Sequence, residues 1–188
     1  MIAGHFGLAA AVKARRPEVP TWSLMLATQW LDVLFVPLVI AKVEGFSPIP
    51  GMSEGYGRVI IHADYTHSLV GALVLSGLFG ALLGWRWGRR SGLVLAAVAF
   101  SHWLLDLLMH RADMPILPGG AGSLPRLGFG LWRWPVVSAA LELALVLVGS
   151  LMYWRAASAV GGPRAGRRVG LVCLVSGLVV LAINLAGQ

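Results

Sequence analysis

Charge is what this chain has least of. Only 12% of its 188 residues are Asp, Glu, Lys or Arg, against roughly 25% in soluble domains. That excludes an ordinary water-soluble globule. Cysteine is scarce too: Cys173 stands alone in an apolar run, so no disulfide can form within the chain. No internal repeat, low-complexity tract or basic-aromatic module is visible. The net charge of +7 is therefore not read as nucleic-acid binding. Met1–Val12 is apolar but has neither a basic leader nor a small-residue cleavage site, so no cleavable signal peptide is expected.

In place of charge the chain carries apolar residues, 57% of the total, with a mean hydropathy of +0.78. The expected class is an all-α polytopic membrane protein with one membrane domain over 1–188. A spanning helix needs roughly 20 apolar residues. Five stretches qualify: Thr21–Val43, Thr66–Trp85, Gly92–His110, Trp134–Trp154 and Val169–Ala186. Residues 1–16 are shorter, about 24 Å long if helical, and read as a partial N-terminal helix. Pro17 and Pro20 separate it from the next span. Ser76, Gly80 and Gly84 follow a small-xxx-small spacing, a helix-packing signal.

Basic residues orient the spans. Lys13–Arg16, Arg86–Arg90 and Arg155–Arg168 fall at alternate ends of successive spans, hence on one side, expected to be cytoplasmic. The opposite side, expected to be the outer one, receives loops 44–65 and 111–133, the first and second outer loops. The first contains Glu44, Glu54 and Asp64 and few basic residues; the second carries three arginines. Both are rich in Gly and Pro and are not expected to be regular helix. The second, ending in Gly130-Leu-Trp-Arg-Trp-Pro, reads either as a lid over the helix ends or as an interfacial loop with Trp anchors.

Against this apolar background the polar residues stand out. Ser91–His110 is apolar enough to span, yet it carries His102 and Asp106 four residues apart, on one helix face. An ionised carboxylate at mid-membrane costs on the order of 3 kcal/mol by insertion scales. From the outer boundary Asp106 lies about 6 Å deep and His102 about 12 Å deep. His62, Asp64 and His67 open the preceding span, Asp32 sits in the middle of the first, and His5 is lifted to a similar level by its helix. All can meet in the outer half of the membrane.

Imidazole with carboxylate suits a divalent transition metal: Zn, with Mn, Fe or Ni as alternatives. His5, His67, His102 and Asp106 are the expected ligands. Asp32, His62 and Asp64 are the expected acid/base groups, with His62 and Asp32 also eligible as ligands. Asp32 alternatively pairs with an Arg, and His62 alternatively sits at the interface. A catalytic site of this kind leaves one position open for water, whose pKa then falls towards 7. His110 and Asp113 lie where the helix meets water and read as a solvated face. Glu142 reads as a base or as a partner for a buried Arg or His. Asn184 reads as a helix–helix hydrogen bonder, and Thr66 as a helix cap.

The string His62-Ala-Asp-Tyr-Thr-His67-Ser-Leu resembles the His-x-x-x-Thr-His-Ser motif of the membrane-bound metal-dependent hydrolases, a family that includes LexA-binding, inner-membrane-associated members. Ser101-His102-Trp-Leu-Leu-Asp106 resembles that family's Ser-His-x-x-x-Asp motif, and Gly4-His5 its N-terminal His. Asp32 falls where the family has an acidic element, here reduced to one Asp. The resemblance covers most of residues 1–118. It implies a hydrolase in the bacterial inner membrane, and a phosphoester or other lipid-linked substrate.

The function expected is therefore metal-dependent hydrolysis of an ester or phosphoester, with a lipid-like substrate entering from the bilayer. The rival is a transporter or permease using the cluster for metal or proton binding. The few spans would then call for an oligomer, and no inverted repeat is visible. A plain membrane anchor has no use for so costly a cluster.

Overall fold

The computed structural model describes residues 1–51 and 58–186; Glu54 of the first outer loop lies outside them. The fold is mostly helical. Helix α1 is Ile2–Arg15, α2 Thr21–Thr28, α3 Trp30–Ile40, α4 Leu69–Trp87, α5 Arg89–Met109 and α6 Pro135–Ala186. Three of these, α4, α5 and α6, are long and apolar enough to cross a membrane. The stretch expected to be one straight first span is instead two helices, α2 and α3, meeting at 52° across Gln29.

Helix α6 is folded on itself. Gly162 has φ +79° and ψ 172°, outside helical space, and Pro163 follows. A Cβ on Gly170 would meet the Trp154 ring and one on Gly177 would meet Val146. Those pairings are antiparallel about Gly162, so α6 is a helical hairpin of two arms. Only glycine adopts that φ without strain.

The expectation of helix alone needs one correction. Strand β1, Gly45–Pro48, pairs antiparallel with β2, Val59–His62, with Gly45 opposite His62 and Pro48 opposite Val59. This small hairpin sits on the outer loop after α3. The boundary of α4 also differs from the expected one. Ser68, not Thr66, caps it, its hydroxyl accepting from Gly71 N–H at 3.0 Å. The freed amides of Leu69 and Val70 donate to Pro115 O and Ile116 O at 3.0 and 3.1 Å. The second outer loop thus folds back onto the start of α4, satisfying donors that a helix end leaves open.

Glycine brings the backbones together. Helix α1 lies against α6 with Gly7 packed directly on Leu145 and Gly149, where no Cβ fits. Helices α4 and α5 cross where a Cβ on Gly92 would lie 2.5 Å from Gly80 O. These are the close approaches expected of small residues in membrane bundles. On the basic side, Val19, Leu24, Phe79, Leu95 and Val98 form an apolar core. Trp22 packs edge-on against Trp87 at 5.3 Å, which ties the start of α2 to the end of α4.

Candidate metal centre

The site is built by four elements: α1, α3, α5 and the segment leading into α4. His102 and Asp106 on α5 and His110 at its C-cap are spaced by four and line one face. His102 is fully buried, and Asp106, His110 and His67 are each only 3% exposed. The bend at Gln29 matters here. The helical ladder restarts with Val33 N–H donating to Gln29 O, and the Thr28 carbonyl accepts from His102 Nδ1–H at 2.6 Å. Irregular backbone between apolar helices is tolerated where protein groups satisfy it.

The His102 Nδ1–H bond fixes what its other nitrogen offers. With the proton on Nδ1, Nε2 presents a lone pair. His67 is set in the same way: its Nδ1 lies 2.9 Å from Thr66 Oγ1, whose own proton goes to Glu44 Oε2 at 2.9 Å. A hydroxyl has one proton, so the hydroxyl oxygen accepts from His67 Nδ1–H. The two Nε2 atoms then face each other at 3.3 Å. Asp32 Oδ1 lies 3.4 Å from His67 Nε2 and 3.5 Å from His102 Nε2. Asp106 Oδ2 lies 3.0 Å from His102 Nε2 and 3.7 Å from His67 Nε2.

Lone pairs and carboxylate oxygens gathered this closely suit a cation. The spacing is also that of a coordination shell. Ligand atoms 2.0–2.2 Å from a tetrahedral ion lie about 3.3–3.6 Å apart, and Asp32, His67 and His102 match that on all three sides. This group can hold a metal ion, as can His5, His102 and Asp106, whose ligand atoms also lie within 4.8 Å of one another.

His5 reaches the cluster, as its helical lift predicted. Its Nε2 is 3.2 Å from Asp106 Oδ1, and its ring stacks on His102 with centroids 4.0 Å apart. It thus holds the carboxylate oxygen opposite the one turned to His67 and His102. The Met1 backbone nitrogen is 3.6 Å from the same Asp106 Oδ1. Behind α1, the Gly4 N–H donates to Glu142 Oε2 at 3.2 Å. Glu142 therefore meets a helix N-terminus, a favourable place for a carboxylate.

His110 and Asp113 correct the solvated-face reading. Both are buried. His110 Nδ1 is 2.9 Å from Asp113 Oδ1, and Asp113 Oδ2 accepts from Ile61 N–H at 3.2 Å. The other ring nitrogen of His110 faces the cluster, 3.9 Å from Asp106 Oδ2. Trp132 of the second outer loop packs over the ring at 4.6 Å. Burial comes from that loop, which a reading of α5 alone does not place.

His62 and Asp64 are the opposite case. His62 is exposed on β2 and bonds Ser47 Oγ at 2.8 Å. Asp64 pairs with Arg126 at 2.8 Å, and its backbone carbonyl accepts from Gly119 N–H. Neither joins the cluster. Asp64 instead pins the second outer loop, since Arg126 also donates to Asp113 O at 2.8 Å.

Asp32, His67, Asp106 and His110 form the polar floor of a cleft of about 440 Å³. Its walls are apolar, and Val33, Val36 and Phe46 at its edge are exposed. A furrow of about 490 Å³ lies elsewhere, between α1, α2 and the arms of α6. No His or carboxylate lines it, so it is not the centre described here. No family model matches the chain, and neither the curated proteins nor the solved structures yield a similar one.

Proposed function

We propose that this chain is an integral membrane hydrolase that uses zinc to cleave an ester or phosphoester of an amphiphilic, lipid-like substrate. The observation that carries the reading is the near-equilateral set of Asp32 Oδ1, His67 Nε2 and His102 Nε2 on the floor of a cleft with apolar walls. In this reading the bent α2–α3 pair is one span and the two arms of α6 are two more, giving five with α4 and α5, and α1 is the partial helix. The outer loops face away from the cytoplasm, and a bacterial inner membrane suits the resemblance of the motifs.

Asp32, His67, His102 and Asp106 would hold the ion. When bound, zinc supplies the Lewis acidity for hydrolysis by water. The remaining steps belong to the chain's own groups. His110, anchored through Nδ1 to Asp113, presents Nε2 to the cleft and is placed to take a proton from the attacking water and return it to the leaving oxygen. Val33, Val36 and Phe46 accept the apolar tail from the bilayer and keep bulk water out. His5 holds Asp106 by its outer oxygen.

The test is turnover in nanodiscs with zinc present, using chromogenic esters and phosphodiesters of long and short alkyl chain. The reading expects cleavage of the long-chain probes, loss on chelation, and a fall of about 100-fold or more in His110→Gln. Absence of turnover on every probe by zinc-loaded protein would overturn it.

A further inference from the structure

We infer that Glu44 is a positioning residue for the metal centre, setting the tautomer of His67 through the hydroxyl of Thr66. The inference rests on the metal-binding reading above and names a group that the motif pattern does not contain.

Glu44 sits between α3 and β1 and is 5% exposed. Its Oε1 accepts two backbone amides, Tyr65 N–H at 2.7 Å and Thr66 N–H at 2.9 Å. Those bonds fix the carboxylate and turn Oε2 towards the Thr66 hydroxyl at 2.9 Å. The hydroxyl has then spent its proton and only accepts. His67 Nδ1, 2.9 Å away, must carry the proton that completes the bond. Nε2 is left as a lone pair towards Asp32 and His102. The direction of the whole relay is decided by Glu44, because a carboxylate has nothing to donate.

His67, His102 and His110 each have their own orienting acceptor on Nδ1. His102 uses the Thr28 carbonyl and His110 uses Asp113. A carbonyl cannot reverse its role, and Asp113 contacts its histidine directly. The Glu44–Thr66 pair is the one of the three that reaches its imidazole through a hydroxyl, and a single substitution at Glu44 can invert it. In Glu44→Gln the carboxamide oxygen can still take the two backbone amides. Its NH₂ group then donates to Thr66 Oγ1, the hydroxyl proton turns to His67 Nδ1, and the imidazole proton moves to Nε2, pointing into the ligand set. Hydrogen-bonded partners behind a ligating His typically account for 10–100-fold in metal affinity.

The experiment uses the full chain in nanodiscs with two readouts. The first is zinc affinity by competition with a chelator. Glu44→Gln and Thr66→Val should each weaken binding by about tenfold or more, and Thr66→Ser, which keeps the hydroxyl, should restore it. In the Thr66→Val background Glu44→Gln should add nothing, because the relay is already cut. A residue that only tethers the loop would show its full effect in both backgrounds. The second readout needs no metal: ¹⁵N spectra of the zinc-free protein should show the His67 proton on Nδ1 in the parent and on Nε2 in Glu44→Gln. An unchanged tautomer, or an undiminished effect of Glu44→Gln beside Thr66→Val, overturns the inference. If the parent chain binds no zinc, the metal-binding reading fails, while the tautomer measurement still decides the role of Glu44.

Discussion

The two halves of this molecule solve opposite problems. On the basic side, helices meet through apolar side chains and bare glycine backbone: Val19, Leu24, Phe79 and Leu95 are all buried there.

 On the outer side, the chain bends at Gln29, breaks into a β-hairpin and folds its second loop over the helix ends. Those irregular segments supply the Thr28 carbonyl, the Glu44 carboxylate and the Ile61 amide that hold the buried polar groups. Polar side chains in a bilayer need partners, and regular helix has few to give. The difference teaches that the site and the irregular backbone belong together.

Two substitutions on α5 should break the outer half most severely. His102→Ala and Asp106→Asn are each expected to weaken zinc binding by more than about 100-fold while the protein still inserts, since a costly buried group has been removed. Chelator competition on the purified variants measures this.

The basic half should respond the other way. Phe79→Ala opens a cavity in that core and is expected to cost about 2–3 kcal/mol, less than the soluble-protein range because lipid is itself apolar. Zinc affinity should stay within about twofold of the parent, since distant sites rarely couple. Melting in detergent and chelator competition report the two quantities separately.

Gly149→Leu sharpens the comparison, because it lies on the crossing that connects the halves. Its side chain would collide with the Gly7 carbonyl, at an expected cost of about 1–3 kcal/mol. By pushing α1 outward it should also loosen His5 from Asp106, so zinc affinity falls along with melting temperature. His62→Ala should do least: an exposed side chain bonded to Ser47 is expected to leave zinc affinity unchanged and stability within about 0.5 kcal/mol.

The sequence made part of this legible. The i,i+4 spacing of His102 and Asp106, the lift of His5 along a short helix and the small-residue spacing on α4 all follow from helix periodicity, and the structure carries each of them. His62 and Asp64 stay outside the cluster because adjacency in a motif says nothing about where a strand end and the turn after it aim their side chains. His110 and Asp113 misled because their burial depends on Trp132 and the second outer loop, which pack from a distance. Glu44 was counted only as an outer-loop acid, since its link to Thr66 spans more than twenty residues with no periodic pattern. The bend at Gln29 has no glycine or proline to announce it; Pro37 lies well inside α3.

The most direct test of the central claim is the zinc content of the purified chain, measured by elemental analysis after exchange against a weak chelator. A centre built from Asp32, His67, His102 and Asp106 predicts about one ion per chain, lost in His102→Ala and in Asp106→Asn and kept in His62→Ala. Zinc-free parent protein, or equal zinc in the parent and in both α5 variants, would contradict it.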